Sequence, residues 1–159
     1  MDDNILREHL VALLKGGQAF VTFKVALDNV KPEARNKKPA DNIHSIWEEL
    51  EHMRIAQEDI LKYIVDPDWI SPSWPEGYWP MEKSGTVDDK EWDKSITDFL
   101  NGREELLKII RDEKINLTSV IPHTKKHTYL REILLVADHN AYHLGQILTE
   151  RKLLNDWKS

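Results

Sequence analysis

Apolar residues return every three or four positions in four separate stretches of this chain, and that period fits helices and little else. From residue 4 to about 29 the stripe is Ile5, Leu6, Leu10, Leu13, Leu14, Phe20, Val21, Val25 and Leu27. A second, to about Val65, uses Ile43, Ile46, Trp47, Leu50, Met53, Ile60, Leu61 and Ile64. Trp92, Ile96, Phe99, Leu106, Leu107 and Ile110 mark a third, and Leu130, Ile133, Leu134, Val136, Ala137, Leu144, Ile147 and Leu148 a fourth. Strands would alternate every second residue, and no stretch does so convincingly. The expected class is all-α, a four-helix bundle in a single domain over 1–159, because 159 residues enclose one sizeable core and not comfortably two.

The connections are legible from their breakers. Gly16-Gly17 falls inside the first stripe and predicts a bend or local loosening there. Asp41 and Asn42 offer side-chain oxygens to the open amides of the second helix, and Pro67 stops it. Asp88, three residues before Glu91, predicts a cap for the third helix, whose middle Gly102 weakens. The fourth helix begins near Thr128, after an irregular stretch 111–127. Residues 66–87 carry Pro67, Pro72, Pro75 and Pro80 with Trp69, Trp74, Tyr78 and Trp79. That length suits a lid, a binding loop or a long crossover letting helices two and three run parallel.

Charge and composition exclude several functions. A formal charge of -6 leaves no clustered basic face for phosphates, since Lys37-Lys38 and Lys125-Lys126 are short loop pairs. No nucleic-acid partner is expected. With no cysteine, any metal must be held by imidazole and oxygen. Met-Asp-Asp-Asn is no export signal and no apolar run approaches about twenty residues, so the expectation is a cytoplasmic protein with no membrane partner.

His139 and His143 stand four apart on the fourth helix, so their imidazoles share a face and can reach one ion. The protease version of this spacing needs a glutamate after the first histidine, and here Asn140 follows His139. Helical projection places both histidines and Gln146 in a polar seam beside the apolar stripe. A third ligand must come from another helix, and the second offers His44, Glu48 and His52, among which projection does not choose. His52 lies off the centre of its stripe, which suits the floor of an open cleft. His9, His123 and His127 read as surface residues.

Two segments, "IHSIWEELEHMRIAQEDIL" from Ile43 to Leu61 and "LREILLVADHNAYHLGQI" from Leu130 to Ile147, resemble the DinB-like superfamily, also called DinB/YfiT. The likeness includes the loop "SPSWPEGYWP" and is most specific in "DHNAYHLGQ". It implies a four-helix bundle with a long crossover between helices two and three, often paired into a homodimer. It also implies a three-histidine metal site whose first ligand lies seven residues after a serine-like helix start. Here Ser45 leads to His52, which the resemblance therefore selects over His44, with His139 and His143 as the other two.

Three imidazoles leave a divalent ion with open positions, and nickel, zinc, iron or manganese would all accept them. The resemblance points to thiol-dependent transferases and isomerases using bacillithiol or mycothiol, so the expected partner is a small molecule, a low-molecular-weight thiol. A metal-dependent hydrolase and a non-catalytic metal-binding or interaction bundle are the alternatives. Trp69, Trp74, Tyr78 and Trp79 either wall an acceptor pocket or plug the bundle's end or a dimer contact. His44, Glu48, Gln146 and Trp79 are the candidates around the ligands, and no residue stands out as a general base.

Overall fold

A computed structural model describes residues 3–81 and 85–157. Its helices are α1 (Asp3–Lys15), α2 (Phe23–Leu27), α3 (Pro32–Arg35), α4 (Ile46–Val65), α5 (Asp89–Arg111) and α6 (Tyr129–Leu153). A short 3-10 helix, Glu76–Tyr78, lies between α4 and α5. No strand forms among the described residues, and Val120 and Thr128 make one isolated bridge. The protein is an all-α bundle in which α4 lies between α5 and α6, and α1 packs on the same two helices.

The first stripe does not make one helix. Gly16 and Gly17 take φ of +69° and +84°, conformations open to glycine, and the chain leaves the helical path there. A Cβ on Gly17 would also lie 2.8 Å from Thr22 Cγ2. Periodicity survives the break because the chain resumes as α2, with Thr22 as its cap. The proline-containing connection after it likewise holds the single turn α3, with Pro32 at its first position.

Local capping fixes the other starts. Ser45, not Asp41 or Asn42, caps α4: its Oγ accepts from Glu48 N at 3.2 Å while Glu48 Oε2 accepts from Ser45 N at 2.8 Å. Asp88 Oδ1 accepts from Glu91 N at 2.8 Å, as its spacing predicts. Thr128 does the same for α6, accepting from Arg131 N at 3.1 Å.

Two apolar clusters fill the interior. One gathers Ile46, Trp47, Leu50 and Met53 of α4 with Phe23, Trp92, Phe99, Leu144 and Ile147, and in it Phe23 stacks on Phe99 at 4.0 Å. The other joins Leu10 and Leu14 to Ile64, Leu106, Ile110, Ile133 and Val136. Each such side chain contributes about 1.5–3 kcal/mol on burial. Gly102 has a packing role: a Cβ there would lie 3.1 Å from Gln57 Nε2, the amide that donates to Phe99 O at 2.7 Å. None of the described helices is long and apolar enough to cross a membrane.

A candidate metal centre between α4 and α6

The seam where α4 meets α6 brings His52, His139 and His143 together, with one ligand-capable ring nitrogen of each lying within 4.8 Å of the others. Among the described residues this is the one such group of three, and it contains no carboxylate. The i, i+4 step of α6 sets His139 beside His143, their rings 4.3 Å apart. His52 reaches them from α4, with Nε2 at 3.0 Å from His139 Nε2. His52 and His143 are buried and His139 is half-buried, so the group meets solvent on the His139 side.

Hydrogen bonds on the far ring nitrogens place the protons. The Tyr78 carbonyl lies 2.8 Å from His52 Nδ1, and a carbonyl only accepts, so Nδ1 carries the hydrogen and Nε2 a lone pair. Glu49 Oε2 lies 2.6 Å from His143 Nδ1 and fixes that ring in the same sense. Burial lowers the pKa of His52, chiefly by desolvation. His139 is pushed down to about 4, first by burial and then by the neighbouring His143 and His52. Neutral imidazoles at pH 7 are the ligand form. The donor set fits a borderline divalent cation: metal–imidazole bonds of about 2.0–2.1 Å place two donors of one ion about 3.0–3.4 Å apart.

These shifts carry a sign. His139 has a folded pKa near 4 against 6.5 for an ordinary histidine, so above 6.5 neither folded nor unfolded chain binds the proton. Between 6.5 and about 4 the unfolded chain is protonated and the folded chain is not, and stability falls as pH falls. Denaturant titrations of chelator-treated protein should give a lower midpoint at pH 5 than at pH 7, and His139→Gln should flatten that difference. An equal difference in wild type and variant would remove His139 as its source.

Around the triad the sequence expectations meet mixed outcomes. His52 does not sit on an open floor: Trp79 covers it, ring on ring at 4.0 Å and 8°. His44 lies outside α4 and stacks on the other face of Trp79 at 3.9 Å. Glu48 is committed to the cap and to Lys38 Nζ at 2.9 Å. Burial alone would raise its pKa, but Lys38 and the Ser45 amide hold it below the usual value. Gln146 is half-buried and joins no hydrogen bond to the triad among the described residues.

Of the loop aromatics, Trp79 alone lies on the histidines. Trp69 and Tyr78 turn to Asp59, and Trp74 is 75 % exposed. His9 and His123 are exposed as expected, whereas His127 is half-buried, its Nδ1 3.0 Å from the Tyr63 hydroxyl.

Residue patterns missed Glu49, Asp59, Glu150 and the Tyr78 carbonyl. No local spacing marks Glu49, whose partner His143 lies 94 positions away on α6. Glu150 is 2 % exposed and its Oε2 has no hydrogen-bond partner. Burial, then Glu49 and Glu48, pushes it up to about 9, so it is a neutral carboxylic acid at pH 7.

A sequence model described as the DinB superfamily matches residues 18–147, a span that includes all three histidines. No curated protein and no solved structure gave a significant match.

Proposed function

Since the chain belongs to the DinB superfamily, we propose that His52, His139 and His143 hold one divalent cation in a metal-dependent enzyme, best read as a thiol-dependent S-transferase. The observation that carries this reading is proton placement. Two of the three rings have acceptors, Tyr78 O and Glu49 Oε2, on the nitrogen remote from the cluster, which turns their lone pairs inward. Three imidazoles with no carboxylate among the grouped ligand atoms leave positions for a substrate, the pattern of catalytic and not of closed sites. His52, His139 and His143 would hold a cation that, when bound, would lower the pKa of a thiol or water beside it.

The chain's own residues supply the surroundings. Trp79 shields the face of His52 from water, and Glu49 holds the His143 proton on Nδ1. Tyr142 is 63 % exposed and sets its ring against His143 at 4.9 Å, an aromatic contact for an acceptor at the solvent side. In the transfer, the thiol releases its proton, its sulfur bonds an electrophilic carbon, and that carbon's leaving group departs with the electron pair.

Metal analysis of the natively purified protein should find about one nickel, zinc, iron or manganese per chain. Small thiols offered with electrophilic acceptors should then be consumed, and a chelator should stop the reaction. Turnover of ester or amide substrates without thiol would instead favour hydrolysis. Stoichiometric metal with no turnover of either kind would leave a binding protein.

A further inference from the structure

We propose that Asp59 is a positioning residue for the metal centre: by gripping Tyr78 and Trp69 it holds the carbonyl that sets the tautomer of His52. This rests on the three-histidine reading above. Asp59 follows His52 by seven residues on α4, two turns and about 10 Å farther along the same helical face. Its side chain is buried, and a buried carboxylate is costly unless hydrogen-bonded. Both its bonds come from the loop beyond α4. Trp69 Nε1 donates to Oδ1 at 2.8 Å and the Tyr78 hydroxyl to Oδ2 at 2.7 Å.

Tyr78 thus spans two points on one face of α4, its hydroxyl on Asp59 and its carbonyl against His52 Nδ1. Burial, then the bond to Asp59, pushes its hydroxyl up to about 12, so it stays a donor at neutral pH. The backbone leading into Tyr78 is tight. Gly77 N donates to Ser73 O at 2.7 Å, and a Cβ on Gly77 would lie 2.8 Å from Pro72 Cβ. The next residue, Trp79, lays its ring on His52. The dipeptide Tyr78-Trp79 therefore gives His52 both its hydrogen-bond acceptor and its stacking surface.

Val87 anchors the far end of the loop in the core, but nearer the dipeptide Ile70 is 86 %, Trp74 75 % and Met81 93 % exposed. The grip of Asp59, together with the stack of Trp79 on His52, fastens this dipeptide to α4.

Isothermal titration with nickel(II) and with zinc(II), on wild type, Asp59→Ala, Tyr78→Phe and the double variant, tests the idea. Each single variant should bind about tenfold more weakly, the usual cost of losing a group that orients a ligand. The double variant should be no weaker than Asp59→Ala by more than about twofold, because the two changes break one connection. Imidazole 15N shifts should show less Nδ1–H tautomer at His52, while Ile70→Ala, at an exposed position of the same loop, changes neither reading. A purely structural Asp59 would lower thermal stability but leave affinity and tautomer as in wild type, and that result overturns the proposal. Should Asp59→Ala not fold, Tyr78→Phe removes one hydroxyl and decides alone. A wild type that binds neither ion removes the three-histidine reading itself, a different outcome from variants that bind as wild type does.

Discussion

His139→Ala and His143→Ala should both strip the divalent ion from the protein, weakening its binding by more than about 100-fold, since loss of an orienting neighbour alone costs tenfold to 100-fold. They should differ in stability. His139 is half-buried and lies against His52 with no carboxylate as its hydrogen-bond partner among the described residues, so its removal leaves the bundle near wild type. His143 Nδ1 is the partner of Glu49, a residue 3 % exposed, and truncating the histidine strands a buried acceptor. That costs about 1–3 kcal/mol. Metal-to-protein ratios after gel filtration, with circular dichroism and denaturant midpoints, read both effects. Helix content should persist in each variant because the apolar stripes are untouched. Stoichiometric metal in either purified variant would refute the triad.

A second large effect is expected far from the histidines. Arg151, 3 % exposed, joins α6 to two other segments. Its Nη1 donates to Ala26 O at 2.7 Å and Asp28 O at 2.9 Å, and its Nε and Nη2 bond Asp156. Its guanidinium also lies over the Trp157 ring at 4.9 Å. Arg151→Ala should destabilise the fold by about 3–5 kcal/mol, the range for removing one partner of a buried ion pair. Lysine should not rescue it, because a single ammonium cannot serve this forked set of acceptors. Thermal and denaturant unfolding measure the loss. A change below about 1 kcal/mol would show that α2 and the carboxyl end dock without it.

The contrast between these two sites reflects how each is encoded. Arg151 sits on a helix whose stripe is plain in the sequence, yet nothing local marks Ala26 and Asp28 as its partners. His139 and His143 were readable because one helical turn sets their spacing. Spacing did not choose among His44, Glu48 and His52; resemblance did, and the fold then brought His52 to the pair. At the start of α4, by contrast, a short-range pattern does decide. Asp41, Asn42 and Ser45 are all good caps, and only Ser45 has Glu48 three residues on to close the reciprocal bonds.

By itself, then, the sequence determined the four apolar stripes, the breaks at glycine and proline, and a histidine pair on one face of the last helix. Those follow from torsion and hydrogen-bond preferences acting over a few residues. Only the tertiary structure decided that Trp79 lies between His44 and His52, and that Glu49, Tyr78 and Asp59 stand behind the ligands. Such meetings join residues as far apart as Glu49 and His143, and they depend on which helix faces close against each other, which no local pattern records.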